Sequence, residues 1–139
     1  MAAITLKGRE IPLIYTTWEM KQIQEEISPI GEFEYMLLGR NRDDENDTSR
    51  YGGAEQLNAL GKAIRILGNA GLEEAGEEAN LTDKWVMRSL RPADMVEAVK
   101  AVLDALREGN RSEIPEEKKT TGPVDVTLEE IKKNGTKEN

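Results

Sequence analysis

Residues 54–67 read AEQLNALGKAIRIL, and this stretch indicates the fold class of the chain. Its large apolar side chains recur at spacings of three, four and three residues, which places them on one face of a helix. These side chains are Leu57, Leu60, Ile64 and Leu67, with Ala63 and Ile66 widening the stripe. The pattern predicts an amphipathic helix over 54–67 that ends at Gly68 and Gly71, on either side of Asn69.

Two further helices are predicted on the C-terminal side of this stretch. Thr82 is a typical helix-capping residue, and the first helix is expected to run from there to Leu90. Pro92 then suits the first position of a second helix, over 93–107, because its missing N–H would be unpaired there in any case. The second helix has one broad apolar face, made of Met95, Val96, Val99, Val102, Leu103 and Leu106. The two helices should meet at a sharp corner, with Gly109 ending the second.

The N-terminal side predicts a β-hairpin. The short runs 3–6 and 11–15 are β-branched or apolar, and they flank the polar turn Lys7-Gly8-Arg9-Glu10. Pro12 lacks an N–H, so the second strand is expected to lie at an edge or to pair weakly.

A capping box is predicted where the hairpin meets the next helix. Thr16 is followed three residues later by Glu19, which predicts a helix over about 17–27. The apolar cluster 33–38 predicts a further helical turn. Both tryptophans, Trp18 and Trp85, are expected to anchor the core.

The segment 39–53 reads GRNRDDENDTSRYGG and is almost wholly polar. The alternation of Asp43, Glu45 and Asp47 suggests calcium, but the glycine and final glutamate of a calcium-binding loop are not at the required offsets. An exposed, mobile loop is therefore favoured over a metal site.

The composition changes after Gly109 to NRSEIPEEKKTTGP, which is too polar to bury much surface. The chain is therefore divided into a folded domain at 1–109 and a flexible linker with a C-terminal peptide at 110–139. The expected fold is mainly α: a short N-terminal β-hairpin, a compact bundle of about four to five helices, and a disordered C-terminal tail.

The net charge and the absence of two residue types make some classes of function less probable for this chain. Aspartate and glutamate total 27 against 19 for lysine and arginine, so the formal net charge is -8 at pH 7. This charge disfavours nucleic acid and anionic membranes as partners. The chain contains no histidine and no cysteine, the residue types that most often act as general bases, nucleophiles and zinc ligands. We therefore expect a binding protein with no cofactor and no metal, and not an enzyme.

The expected location is the cytoplasm. No stretch approaches the roughly 18 consecutive apolar residues of a membrane span. The first five residues also lack the basic and apolar regions of a signal peptide.

Four segments occur in a characteristic order. They are ITLKGREIPLIYTTWEM at 4–20, LGNAG at 67–71, LTDKWVMRSLRPADMVEAVKAVLDAL at 81–106 and VDVTLEEIKKN at 124–134. Together they resemble the tail assembly chaperones of long-tailed phages and prophages, particularly those of Gram-positive hosts. The resemblance covers residues 3–134, and the closing segment after a charged linker contributes most to it.

The resemblance implies an assembly factor that works in the host cytoplasm and is absent from the mature virion. Such proteins hold the helix-rich tape-measure protein soluble and help the tail-tube protein polymerise around it. They often occur as a short product and a longer one made by ribosomal slippage, and Lys132-Lys133-Asn134 can be encoded by a slippery, adenine-rich run. This chain would be the short product. Its expected partners are the tape-measure and tail-tube proteins, itself, and a frameshift-extended form.

The resemblance also suggests where a client would bind. The helices over 82–90 and 93–107 would form part of a groove for apolar helices, and flexible methionines suit such a groove. The expected contacts there are Trp85, Met87, Met95 and Val99. The C-terminal peptide is a second candidate contact that would fold on binding, through Val124, Leu128 and Ile131.

Two other functions are open at this point. The chain could be a small structural or connector protein of the virion, which would be found in purified particles. It could also be a phage-encoded inhibitor of a host protein that mimics acidic nucleic acid, which requires contiguous negative charge on the folded domain.

Overall fold

The computed structural model describes residues 1–111, and the C-terminal peptide and most of the predicted linker, at 112–139, lie outside the described residues. A hairpin precedes five α-helices, which confirms the predicted mainly helical fold. No helix within 1–111 is both long and apolar enough to cross a membrane. The elements are β1 (Ala3–Leu6), β2 (Arg9–Pro12), α1 (Thr17–Glu26), α2 (Ile30–Leu38), α3 (Ala54–Glu74), α4 (Asp83–Ser89), a 3-10 turn (Pro92–Asp94) and α5 (Met95–Gly109).

Helix α3 lies at the centre of the fold. It contacts β2 and all four of the other helices. Leu60, Ile64 and Leu67 are fully buried, as their spacing predicts. The predicted end of this helix at Gly68 is wrong, because α3 continues to Glu74.

The residue that ends α3 is Gly76, which has a φ of +75°. Its backbone N–H donates to the carbonyl of Glu73, and the N–H of Glu77 donates to the carbonyl of Leu72 at 2.8 Å. This paired pattern satisfies two of the carbonyls left open at a helix end, and its left-handed position favours glycine.

Gly68 and Gly71 serve a different purpose, because they allow β2 to pack closely on α3. A Cβ atom at Gly68 would lie 2.8 Å from Leu81 Cδ1 and 3.1 Å from Ile11 Cγ2. A Cβ atom at Gly71 would overlap the carbonyl oxygen of Pro12. Each glycine costs roughly 1 kcal/mol of helix propensity relative to alanine, which the burial gained by close packing offsets.

The hairpin turn is shorter than predicted. Lys7 and Gly8 alone form it, with φ of 51° and 76°, as in the two-residue turns whose twist matches that of the strands. The predicted second strand over 11–15 is therefore wrong in its bounds, since β2 runs from Arg9 to Pro12.

The register of the hairpin explains how it accommodates proline. Ala3 lies opposite Pro12, and Ile4 lies opposite Ile11. Leu13 donates its N–H to the carbonyl of Ala2 at 2.9 Å, which makes Ala2 and Leu13 a hydrogen-bonded pair. Because hydrogen-bonded and non-bonded pairs alternate along antiparallel strands, Pro12 occupies a non-bonded position. Its missing N–H therefore removes no bond between the strands.

Helix α1 begins with the predicted capping box. Thr16 accepts the N–H of Trp18 at 3.3 Å, and Glu19 accepts the N–H of Thr16 at 2.9 Å. Ile23 is fully buried, whereas Trp18 is 62% exposed, so the prediction that Trp18 anchors the core is wrong. Trp18 precedes Ile23 by five residues, which turns it about 140° away from the buried face.

Helix α4 is joined to α3 through the residues that precede it. The side chain of Asn69 accepts the N–H of Leu81 at 2.9 Å and donates to its carbonyl at 3.3 Å. Thr82 then caps the helix by accepting the N–H of Trp85 at 3.1 Å. After α4, Pro92 begins the 3-10 turn, and α5 follows directly from Met95.

An ionic network connects α1, α3 and α4. Arg65 of α3 donates to Asp83 of α4 and to Glu26 of α1. Lys62 donates to the other oxygen of Asp83 at 3.0 Å. Burial raises the pKa of Asp83, but the hydrogen bonds from Arg65 and Lys62 outweigh it, so the pKa lies below its ordinary value of 3.8.

We expect the Gly71→Ala substitution to destabilise the fold by about 1–3 kcal/mol, because the new methyl group would overlap the carbonyl oxygen of Pro12. The matched control is Gly31→Ala in α2, where a Cβ atom would meet nothing within 4 Å. That control should be neutral or slightly stabilising. Urea unfolding of both variants measures the difference. A Gly71→Ala variant as stable as the control would contradict close packing at Gly71.

We expect Asp83→Asn to lower stability at neutral pH by less than about 1 kcal/mol, because partly exposed ion pairs are screened by solvent. A carboxyl with a lowered pKa stabilises the fold above its unfolded-state pKa, and this contribution is lost as pH falls through the folded-state pKa. The difference from the wild type should therefore shrink below about pH 4. Chemical unfolding at pH 7 and pH 3 measures it. A difference equal at both values would exclude this role for Asp83.

Candidate protein-binding site

A surface groove lies between α2 and the loop that follows it. Its volume is about 400 Å³. Helix α2 contributes five residues and the loop two: Ile30, Gly31, Glu34, Tyr35, Leu38, Arg40 and Glu45. The groove therefore combines an apolar helix surface with a polar rim.

Only some of the apolar residues of helix α2 are buried in the core. Phe33 and Leu37, one turn apart, are fully buried. Ile30 and Tyr35 are only half-buried, and Leu38 is 37% exposed. The predicted turn over 33–38 is in fact a nine-residue helix that starts at Ile30. Apolar side chains consequently lie on two faces of α2, one toward the core and one toward the groove.

Polar contacts hold the loop against α2. Tyr35 Oη donates to Glu45 Oε2 at 3.3 Å, and Arg40 donates to the carbonyl of Glu45 at 3.5 Å. Arg42 forms an ion pair with Glu32, which raises the pKa of Arg42. These exposed contacts are individually weak, but together they position the polar rim of the groove.

Gln56 connects the loop to the core. It is 1% exposed, its amide donates to the carbonyl of Leu37 at 2.7 Å, and its oxygen accepts the N–H of Gly52. One buried side chain of α3 therefore binds the end of α2 and the end of the loop. A polar group this buried requires such partners, since leaving it unpaired costs about 1–3 kcal/mol.

The acidic loop contains a series of local turns. Asn41, Asp44 and Asp47 each accept the backbone N–H two residues further on, at 2.9 to 3.1 Å. The hydrogen bonds from Ser49 hold the pKa of Asp47 below its usual range. Within the described residues, no group of three or more carboxylate side chains is placed to hold a metal ion. Most residues of this loop are exposed, which confirms that part of the prediction.

The client contacts predicted from the sequence on α4 and α5 lie outside the groove beside α2. Met95 is 8% exposed and belongs to the core, so it cannot contact a client without movement of α5. Trp85 and Val99 are half-buried and pack against that core. Met87 is half-buried, and its sulfur occupies the space beside Gly61 of α3. The structure does not gather these four side chains into an open apolar groove.

The other predicted contacts, Val124, Leu128 and Ile131, lie outside the described residues. Several large apolar side chains that were not predicted as contacts are exposed, among them Trp18, Tyr51 and Val96. Trp18 has the Lys21 amine 5.2 Å from its ring centre, Tyr51 lies in the loop, and Val96 of α5 is 68% exposed. The prediction that Val96 belongs to the apolar face of α5 is wrong, because the buried face consists of Met95, Ala98, Val102, Ala105 and Leu106.

No family model, curated protein or solved structure matches this chain.

We expect Gln56→Ala to destabilise the fold by about 1–3 kcal/mol, because it leaves the buried carbonyl of Leu37 and the N–H of Gly52 without their partner. Thermal unfolding measures the loss. Gln24→Ala is the matched control: Gln24 accepts a hydrogen bond from Ile30 at an exposed position, so its loss should change stability by less than about 0.5 kcal/mol. Equal effects of the two substitutions would show that Gln56 does not fasten the loop.

Proposed function

We propose that this chain is a tail assembly chaperone of the short type that binds the tape-measure protein, keeps it soluble in the host cytoplasm and helps recruit the tail-tube protein. Its partners on this proposal include a second copy of itself and a frameshift-extended form. The observation that carries the proposal is the groove beside α2, where Ile30, Tyr35 and Leu38 are left partly exposed.

The shape and chemistry of this groove suit an amphipathic helix. Ile30, Glu34 and Leu38 follow one another at one-turn intervals, so they form a strip along α2. Gly31 adds no side chain that would obstruct an approaching helix. An apolar helical face from a client would bury the side chains of Ile30, Tyr35 and Leu38 and leave Glu34 beside it, and such burial of apolar surface drives helix-in-groove recognition.

The charge of the chain supports the same role. A formal charge of -8 keeps a complex with an aggregation-prone, helix-rich client soluble through repulsion between complexes. Glu34 and Glu45 at the rim of the groove would also favour a client helix with basic residues beside its apolar face.

Co-expression with the tape-measure protein of the same phage or prophage tests the proposal. We expect the wild-type chain to keep the tape-measure protein in the soluble fraction and to co-purify with it. Leu38→Glu should reduce the co-purified amount at least about tenfold, because a charge would replace an apolar contact in the groove.

Val96→Glu is the matched control, since it places the same charge on an exposed aliphatic position of α5 outside the groove. It should leave capture unchanged, and both variants should keep the wild-type melting temperature. A tape-measure protein that is insoluble with or without the chain would refute the proposed function. Equal loss of capture in both variants would refute the placement of the client on α2.

A further inference from the structure

One edge of the hairpin has no partner within the described residues. Ile4 and Leu6 form the hydrogen-bonded pairs with β2, so the N–H and C=O groups of Ala3 and Thr5 face away from β2. Within residues 1–111 none of these four groups forms a hydrogen bond. They form a short, unpaired strand edge, which is the surface that strand addition uses.

A trough with a volume of about 260 Å³ lies between β1 and α5. Three consecutive residues of β1 line it: Ala3, Ile4 and Thr5. Successive side chains of a strand point to opposite faces, so three consecutive residues can line one trough only where it runs along the edge of the strand. The trough therefore occupies the position in which an added strand would lie.

The other wall of the trough is apolar at its base and acidic at its rim. Ala98 of α5 is fully buried and Ala101 is half-buried, and these small side chains leave room for larger ones from a partner. Leu90 adds apolar surface, whereas Asp94 and Glu97 are exposed. Neither carboxylate forms an ion pair within residues 1–111. No lysine or arginine of the described chain lines the trough.

These features define the chemistry of an occupant. Its backbone must be extended, because an extended chain presents N–H and C=O groups at the spacing of a strand edge. Its side chains must combine apolar groups, for the alanine surface, with basic groups, for the two carboxylates. A second copy of this chain is a poorer occupant, because it carries the same formal charge of -8.

We propose that the free edge of β1 binds an extended, basic segment of a partner protein, which adds to the hairpin as a third strand. A segment of about five residues is long enough, since a strand rises about 3.3 Å per residue. Its apolar side chains lie against Ala98 and Ala101, and its basic side chains pair with Asp94 and Glu97. The trough shares no residue with the groove beside α2, so this second site does not rest on the function proposed above.

NMR titration of the full chain with the synthetic peptide acetyl-Lys-Val-Lys-Val-Lys-amide tests this site. Valine favours an extended backbone, and lysine supplies the charge. At saturation the amides of Ala3 and Thr5 should exchange with solvent about tenfold or more slowly than in the free protein. The amide of Ile4, bonded to β2, should be protected with and without peptide. The matched control peptide, acetyl-Glu-Val-Glu-Val-Glu-amide, should leave exchange unchanged.

Two variants separate the contribution of the backbone from that of charge. Thr5→Pro removes one N–H of the free edge without removing a bond to β2, so it should abolish the slowed exchange at Ala3. The double variant Asp94→Asn with Glu97→Gln keeps the shape of the trough and should weaken peptide binding about threefold or more. Its matched control, Glu74→Gln with Glu78→Gln, neutralises two exposed carboxylates outside the trough and should bind like the wild type.

Four results would overturn the proposal. Amides of Ala3 and Thr5 that are protected before peptide is added would show that the edge is already covered, by another part of the chain or, if dilution removes the protection, by a second copy. Exchange unchanged at saturating peptide would show that the segment binds elsewhere. Equal slowing by the acidic peptide, or unchanged binding in the Asp94 and Glu97 double variant, would show that the trough does not select basic segments. None of these results bears on client capture through Leu38, so the two sites are tested separately.

Discussion

The close approach of β2 to α3 is the constraint on which the rest of the fold depends. Gly71 lies against the backbone carbonyl of Pro12, and Gly68 lies against Ile11 and Leu81. The N–H of Ile14 also donates to the carbonyl of Leu67 within α3, at 3.1 Å. A third glycine, Gly61, makes room for the side chain of Met87 from α4. The glycines of one helix thus allow the hairpin and α4 to pack against it.

This arrangement has consequences for where the molecule can bind a partner. Met87, Trp85 and Met95 contribute to packing around α3 and α5, so their apolar surface is largely used within the fold. Helix α2 differs. Its Phe33 and Leu37 are buried in the core, while Leu38 stays partly exposed at the groove. A client-binding role is therefore better placed on α2 than on the corner between α4 and α5.

Ion pairs and hydrogen bonds hold the helices and the acidic loop in the positions that create the groove beside α2. Arg65 ties α1 and α4 to the central helix, and Gln56 fastens the acidic loop to the end of α2. The loop in turn supplies Arg40 and Glu45 to the rim of the groove. The acidic residues of this loop thus help to shape a surface, and three of its side chains form local turns with the backbone.

Local signals in the sequence determined much of the fold. Thr16 with Glu19, and Thr82, predict helix starts because a cap depends only on residues within one turn. The spacing of Leu60, Ile64 and Leu67 predicts the buried face of α3 for the same reason, since helical periodicity is a property of neighbouring residues.

Tertiary structure decided how closely the elements pack and which side chains are exposed, because both depend on residues that are distant along the chain. Gly68 and Gly71 resemble a helix end in sequence, and only the presence of β2 against them shows that they permit close packing. Likewise, the exposure of Trp18 and Leu38 depends on which neighbours reach them. The sequence does not reveal the groove, because Gln56 joins the end of the loop to Leu37, which is 19 residues away along the chain. Sequence spacing shows which side chains share a face, but burial and access depend on packing partners that are remote along the chain.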